Sequence, residues 1–241
     1  MNRMITYENL RQFTYSNDQI CKRPIRGIVV TFFGLNATVM YSEDTEEGIY
    51  FAERGILYLV PYNNPWAWMN PQAVQYTDEL LDVVIDHFKL PESIPIVATG
   101  GSMGGLSALA YTCFAKRTPV ACVANCPVCD LPYHCTERPD LPRTLYSAFF
   151  HEEGEISEVL EKASPFHLAE KMPKVPYHIF HCDADRSVNI ERHSNRFVAK
   201  MREVGHSVSY DVIPGRGHCD LPPEMVEQFR QYSVKAIEAK K

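Results

Sequence analysis

The 241-residue chain is long enough to build a large hydrophobic core, and 45% of its residues are apolar. Its 24 basic and 30 acidic residues give a net charge of −6 without a basic stripe, which argues against nucleic acid as a partner. No stretch approaches the roughly 18 apolar residues that span a bilayer, and the N-terminus lacks a signal-peptide core. We therefore expect a cytoplasmic protein without a membrane partner, whose eight cysteines are mostly free thiols.

Short apolar runs alternate with helical patterns along the chain. The runs predict strands at 27–33, 55–60, 94–99, 120–124, 177–181 and 208–213. They are almost continuously apolar, which is typical of strands covered on both faces. Helices are predicted to begin after Asn70, at Ser102, near 189 and near Pro223, and the third is predicted to stop at Gly205. Residues 1–25 form either an edge strand or a segment that packs across the sheet.

This alternation predicts a single α/β domain over residues 1–241, with a mostly parallel sheet of about six to eight strands and helices on both faces. Residues 130–173 join two strands and are too long for a simple crossover. They contain several prolines, an acidic run and a helical stretch at 156–163. We interpret this segment as a partial cap inserted over the carboxyl edge of the sheet.

The strongest motif follows the predicted strand 94–99. The sequence Gly100-Gly101-Ser102-Met103-Gly104-Gly105 contains Gly-x-Ser-x-Gly, in which a strand turns sharply into a helix and exposes the serine oxygen. The turn needs glycines because a side chain two positions before or after the serine would collide with the neighbouring backbone. The alternative is a glycine-rich turn with an incidental serine. The strand before the motif and the helix after it favour Ser102 as a nucleophile.

A serine nucleophile needs a histidine to take its proton and a carboxylate to orient that histidine. Asp183 and Asp185 follow strand 177–181, and His218 follows strand 208–213 in a Gly-Arg-Gly-His loop. The order serine, acid, histidine is that of the α/β fold with this motif. Asp130, which follows another strand, is a third candidate for the acid.

From about residue 26 to its end, the chain resembles the α/β-hydrolase family, especially its compact prolyl-oligopeptidase-like and esterase members. The family's acid loop often has Gly-x-x-Asp-x-x-Val-Pro, and these places are taken here by Cys182, Asp185, Val188 and Asn189. The resemblance therefore favours Asp185 as the acid and His218 as the base. It also implies an oxyanion hole formed by the backbone N–H groups of Met103 and Leu35.

A serine at this turn implies acyl transfer to water, from an ester, a thioester or an amide. The sequence predicts a carboxylic-ester hydrolase for small or medium substrates, acting through an acyl-enzyme on Ser102 without a metal or cofactor. One alternative is a serine peptidase of the prolyl-oligopeptidase-like type acting on short peptides. We expect it less because such relatives often carry a large extra domain, for which this chain has no room. The other is a non-enzymatic binding protein on a hydrolase scaffold. Oligomeric state is left open.

Two groups of residues suggest a substrate pocket. Trp66 and Trp68 lie on the loop after strand 55–60, where they either line a pocket or pack the loop onto the core. Arg138 and Arg143, in the predicted cap, either bind a substrate carboxylate or make salt bridges that fix the cap. We take Trp66, Trp68 and Arg143 as candidate substrate-binding residues.

Cys126, Cys129, His134 and Cys135 form the remaining pattern. Cys-x-x-Cys is a common first half of a zinc site, or a redox pair. The second half, however, has adjacent rather than spaced ligands, and Cys126 follows a buried strand directly. We therefore expect buried or half-buried thiols and no metal at these positions.

Overall fold

The computed structural model describes residues 4–240, and a seven-stranded sheet runs through them in the order β1-β3-β2-β4-β5-β6-β7. β1 pairs antiparallel with β3, and all other neighbours are parallel. This confirms the predicted mostly parallel α/β sheet. The strands are β1 Thr14–Ser16, β2 Gly27–Phe32, β3 Ile56–Pro61, β4 Ile96–Gly101, β5 Ala121–Asn125, β6 Tyr177–Cys182 and β7 Val208–Ile213.

The six predicted strands appear within two residues of their expected positions, and the seventh comes from the N-terminal segment. β1 is that seventh strand, so residues 14–16 take the edge-strand alternative. β4 begins two residues later than predicted and continues to Gly101, directly before Ser102. Residues 1–3 and 241, at the two ends of the predicted domain, lie outside the described residues.

Helices cover both faces of the sheet. α2 begins where expected, because the Asn70 side chain accepts a hydrogen bond from the Ala73 backbone N–H at 3.0 Å. α8 follows a π-helical turn at Glu191–Asn195, and Gly205 beyond it has a φ of +79°, as predicted for a left-handed cap. α1 was not predicted. The helices are α1 Glu46–Ala52, α2 Pro71–Phe88, α3 Met103–Phe114, α4 Leu131–His134, α5 Leu141–Phe149, α6 Ile156–Ala163, α7 Pro165–Leu168, α8 Arg196–Glu203 and α9 Pro223–Glu238.

Two apolar clusters lie on opposite sides of the sheet. The larger joins α2, α3 and α8 to one face, with residues such as Leu81, Leu106 and Phe197. The smaller joins α1 and α9 to the other face through Phe51 and Ile237. Burial on both sides explains why the central strands are apolar at nearly every position. Among residues 4–240, no helix combines the length and apolarity that crossing a bilayer requires.

The segment between β5 and β6 carries α4 to α7 and is tied down by polar contacts. Glu137 Oε2 accepts hydrogen bonds from His134 Nδ1 at 2.5 Å and from His193 Nε2 at 2.9 Å. Burial would raise the pKa of Glu137, but these two bonds lower it to about 2. The Asn70 amide also donates to the Ala148 carbonyl at 2.8 Å. These bonds fix the segment to the loops that leave β3 and β6.

Candidate active site

Ser102 stands at a sharp turn between β4 and α3, with φ 59° and ψ −125°. A Cβ at Gly100 would lie 2.3 Å from the Gly104 carbonyl oxygen, and one at Gly104 would lie 2.1 Å from the Phe32 carbonyl oxygen. Only glycine fits at either position. The Ser102 N–H donates to the Asn125 carbonyl at 2.9 Å, which anchors the strained residue to the neighbouring strand.

His218 and Asp185 meet at the same edge of the sheet. His218 Nδ1 donates to Asp185 Oδ2 at 2.6 Å, and the Asp185 carboxylate is fully buried. Its other oxygen accepts the backbone N–H groups of Ser187 and Val188, at 2.8 and 3.0 Å. With its proton held on Nδ1, the neutral imidazole carries its lone pair on Nε2, which is the form a general base needs.

The electrostatics of this pair follow from burial and hydrogen bonding. Burial alone would lower the pKa of His218, but the hydrogen bond and charge of Asp185, with a contribution from Cys126, raise it to about 9. Burial would raise the pKa of Asp185, yet its hydrogen bonds from His181, His218 and the two backbone N–H groups hold it well below its usual range. Asp185 is therefore a carboxylate at any ordinary pH.

The two rival acids have other partners. Asp183 Oδ1 accepts the Gly215 N–H at 2.6 Å, which ties the acid loop to the histidine loop. Asp130 caps α4 through the Tyr133 N–H at 3.1 Å and pairs with Arg196 at 3.2 Å. Of the three carboxylates considered from the sequence, the structure brings Asp185 to His218.

His181 is a neighbour of the acid that the sequence analysis missed. It is fully buried at the end of β6, with Nε2 3.4 Å from Asp185 Oδ2 and Nδ1 2.6 Å from Ser194 Oγ. Its position four residues before Asp185 was a usable signal. From the sequence, His181 is only the last residue of the apolar strand predicted at 177–181.

The serine and the histidine are not hydrogen-bonded to each other among residues 4–240. His218 Nε2 instead lies 3.8 Å from the Cys219 sulfur. Contacts between a nucleophile and its base are often loose without substrate. His218 is held on the acid side and remains free to adjust on the side of Ser102.

The predicted oxyanion donors lie on either side of the nucleophile. A Cβ at Gly34 would lie 3.9 Å from the Ser102 Cβ, so the loop that carries Leu35 passes beside Ser102. Met103 is the first residue of α3. Neither the Leu35 nor the Met103 backbone N–H has a hydrogen-bond acceptor within residues 4–240. Both remain available to an incoming oxygen.

The candidate pocket residues separate into two groups. Trp68 is 1% exposed and donates to Thr144 Oγ1 at 3.1 Å, so its indole packs the loop onto the cap segment instead of lining an open pocket. Trp66 is partly exposed, and the Arg143 guanidinium lies 5.8 Å from its ring centre. A cavity of about 490 Å³ is lined by Trp66, with Tyr62 and Phe150, but not by Ser102, His218 or Arg143. A second cavity, of about 370 Å³, is lined by Gly100, Gly101 and Cys219 beside the nucleophile.

The two cap arginines also differ. Arg138 pairs with Asp140 at 2.7 Å, in agreement with the salt-bridge alternative. Arg143 forms no ion pair with any carboxylate in residues 4–240.

The cysteine pattern does not come together as its spacing suggested. All eight cysteines are free thiols. Within residues 4–240, no cluster of potential metal ligands contains both Cys126 and Cys129. His134 instead faces Glu137 and His193, and Cys126 faces His218 and Cys219.

The fold is similar to several solved structures. A puromycin-hydrolysing peptidase from Mycobacterium tuberculosis superposes with a TM-score of 0.66 at 18% identity, over 91% of this chain and 34% of that one. Est1E from Butyrivibrio proteoclasticus superposes with a TM-score of 0.61 at 17% identity, over 93% of this chain and 94% of that one. An esterase B from Lactobacillus rhamnosis superposes with a TM-score of 0.66 at 14% identity, over 91% of this chain and 79% of that one. The chain thus spans about a third of the puromycin-hydrolysing peptidase.

At the level of sequence, a comparison with curated proteins finds no match. A family match is found: residues 79–235 match the prolyl oligopeptidase family, and this range includes Ser102, Asp185 and His218. The match covers more than half of the chain and agrees with the fold. The chain belongs to the prolyl oligopeptidase family and has an α/β-hydrolase fold.

Proposed function

We propose that the protein hydrolyses carboxylic esters of small or medium size through an acyl-enzyme on Ser102, with Asp185 and His218 completing a catalytic triad. The observation that carries this proposal is the 2.6 Å hydrogen bond between His218 and the buried Asp185, on two loops at the sheet edge where the half-buried Ser102 lies. Three separate parts of the chain meet there in the order this fold uses.

In the proposed mechanism, His218 Nε2 takes the proton of Ser102 as its oxygen attacks the ester carbonyl. The developing oxyanion accepts hydrogen bonds from the backbone N–H groups of Met103 and Leu35. His218 then gives the proton to the leaving alcohol. A water molecule, deprotonated by His218, releases the acid from the acyl-enzyme. Each step uses groups of the chain and water alone.

The similar solved structures and the family match support two substrate classes. Est1E and esterase B support an ester substrate, since the fold they share with this chain covers most of their length. A peptidase is the second candidate, favoured by the family match and by the puromycin-hydrolysing peptidase. We further propose that residues 130–173 form a partial cap of a single domain, and that Trp66 and Arg143 lie at its substrate entrance.

Matched substrates separate these candidates. We would compare p-nitrophenyl esters and p-nitroanilides with the same acyl group, across acyl chain lengths. An esterase should turn over the esters with little anilide cleavage, whereas a peptidase should cleave aminoacyl or peptidyl anilides. Ser102→Ala should lower kcat by several orders of magnitude, on the order of 10⁶ in comparable triads. If Ser102→Ala kept the wild-type activity, the proposed nucleophile would be wrong.

A fluorophosphonate probe tests the site without a choice of substrate. It should label wild-type protein and leave Ser102→Ala unlabelled. A binding protein on a hydrolase scaffold should not be labelled at Ser102. Labelling without ester or anilide turnover would show a working nucleophile with a specialised acyl substrate.

The proposed role of Arg143 is tested with an anionic ester and its neutral isostere. Arg143→Ala should raise KM for an ester with a carboxylate in its acyl chain and leave KM for the neutral isostere unchanged. Arg138→Ala is the matched control, because Arg138 is already paired with Asp140. Equal kinetics of Arg143→Ala and wild type on both esters would remove Arg143 from the substrate site.

A further inference from the structure

Two cysteines and the proposed base meet beside Ser102. The Cys126 sulfur, the Cys219 sulfur and one ring nitrogen of His218 all lie within 4.8 Å of one another. The nitrogen is Nε2, which is 3.8 Å from the Cys219 sulfur, since Nδ1 is occupied by Asp185. Cys126 is fully buried, whereas Cys219 and His218 are half-buried.

These separations suit a thiophilic divalent metal such as Zn²⁺. Tetrahedral zinc with Zn–S bonds of about 2.3 Å and Zn–N bonds of about 2.05 Å places two sulfurs about 3.8 Å apart and a sulfur and a nitrogen about 3.6 Å apart. The observed 3.8 Å between Cys219 Sγ and His218 Nε2 is already close to that spacing. Three protein ligands would leave the fourth position to solvent.

The surroundings of the three ligands are also those of a metal site. A ligating histidine usually donates its other ring N–H to a carboxylate, which is what His218 does toward Asp185. The Cys126 sulfur accepts backbone N–H bonds from Cys182 and Cys219, at 3.4 Å each, which would help to hold a metal-bound thiolate. In the metal-free thiol, the Cys219 side chain and burial outweigh them and raise the pKa of Cys126. These donors are in place without rearrangement.

Both cysteines of the cluster have a left-handed backbone conformation. Cys126 and Cys219 have φ values of +44° and +58°, in the left-handed region that costs a non-glycine residue about 1–3 kcal/mol. A Cβ at Gly101 would lie 3.2 Å from the Cys219 sulfur, so this thiol touches the backbone directly before Ser102. The cluster therefore borders both the nucleophile and the base.

We propose that Cys126, Cys219 and His218 form a reversible zinc site whose occupation inhibits the enzyme. The two thiols release their protons to solvent as they bind, and so does Nε2 wherever His218 is protonated; the metal takes the Nε2 lone pair that would accept the Ser102 proton. The metal is an inhibitor in this proposal, not a cofactor. Inhibition rests on the proposed function, whereas metal binding does not.

Cobalt tests the binding directly. Reduced protein is titrated with Co²⁺, and the sulfur-to-cobalt charge-transfer band and the visible bands of tetrahedral cobalt are recorded. We expect one Co²⁺ per chain, displaced by one Zn²⁺. Cys219→Ser should weaken binding by more than about 10-fold, the lower bound for losing even an outer partner of a metal ligand. Cys126→Ser should do the same, and Cys219→Ser alone suffices if Cys126→Ser does not fold.

Cys135→Ser is the matched control, because it removes a half-exposed thiol outside the cluster and should bind cobalt as wild type does. Ser102→Ala, which lacks the nucleophile, should also bind cobalt as wild type does.

Zinc should inhibit wild-type ester hydrolysis with an inhibition constant equal to its dissociation constant, and a chelator should reverse the inhibition. Cobalt binding without any esterase activity would leave the metal site standing and refute only the proposed substrate. A folded wild-type protein without the sulfur-to-cobalt band, or an unchanged band in Cys219→Ser, would overturn the proposal.

Discussion

Replacing Asp185 with asparagine tests how the proposed base is tuned. In the wild-type protein the hydrogen bond and charge of Asp185, with a contribution from Cys126, outweigh burial and raise the pKa of His218 to about 9. A general base works only when neutral. With a pKa near 9, about 1% of the free enzyme carries neutral His218 at pH 7 and half at pH 9. Wild-type kcat/KM should therefore rise roughly 50-fold between pH 7 and pH 9.

Asp185→Asn removes the charge and the charge-assisted hydrogen bond and leaves the burial. Burial favours the neutral imidazole and only the contribution of Cys126 remains to oppose it, so the pKa of His218 should fall from about 9 toward the ordinary value of about 6.5. The acid limb of the kcat/KM profile should then move from near pH 9 toward pH 6.5. The plateau itself should drop by on the order of 10⁴, because asparagine no longer selects the tautomer with a free Nε2.

The assay is p-nitrophenyl butyrate hydrolysis from pH 5.5 to pH 10 at constant ionic strength, corrected for spontaneous hydrolysis. Asp183→Asn is the control, since it removes a carboxylate from the same loop that binds the Gly215 N–H instead of His218. Its acid limb should stay at the wild-type pH. An Asp185→Asn profile that keeps its acid limb near pH 9, or a plateau within tenfold of wild type, would refute this account of the base.

Two further predictions concern packing around the site. Gly104→Ala should destabilise the protein by about 1–3 kcal/mol or more, because the new Cβ would lie 2.1 Å from the Phe32 carbonyl oxygen. Gly217→Ala, which meets nothing within 4 Å, should stay within about 0.5 kcal/mol of wild type in the same urea titration. Trp68→Phe should cost about 1–3 kcal/mol of unfolding free energy, because it removes the indole hydrogen bond to Thr144. A Trp68→Phe protein of unchanged stability but altered acyl-chain preference would return Trp68 to the substrate pocket.

The elements visible in the sequence are those that local rules determine. The five inner strands, β2 to β6, are apolar on both faces, so their runs stand out without any knowledge of their neighbours. The turn at Ser102 was equally visible, because its two glycines are required by backbone contacts within the motif and with the adjacent strand. Such features depend on few distant residues and can be predicted from one sequence.

The missed elements depend on distant partners. α1 has a local signal, because the Thr45 side chain caps it and Glu46 and Glu47 stand in its first turn. It also depends on a distant partner, since a Cβ at Gly48 would lie 2.0 Å from the Tyr15 hydroxyl. Trp68 was ambiguous because Thr144, its hydrogen-bond partner, lies 76 residues away. His181 was hidden inside a strand whose two faces are both buried.

The contact between Cys126 and Cys219 spans 93 residues, and no spacing rule relates them. It matters because the hydrogen bond that would prepare His218 as a base would also prepare it as a metal ligand. In both roles Asp185 holds the proton on Nδ1 and leaves the lone pair on Nε2. One lone pair cannot serve Ser102 and a metal together. Cobalt occupancy and fluorophosphonate labelling of Ser102 should therefore be mutually exclusive, and labelling should fall in proportion as the tetrahedral cobalt band grows.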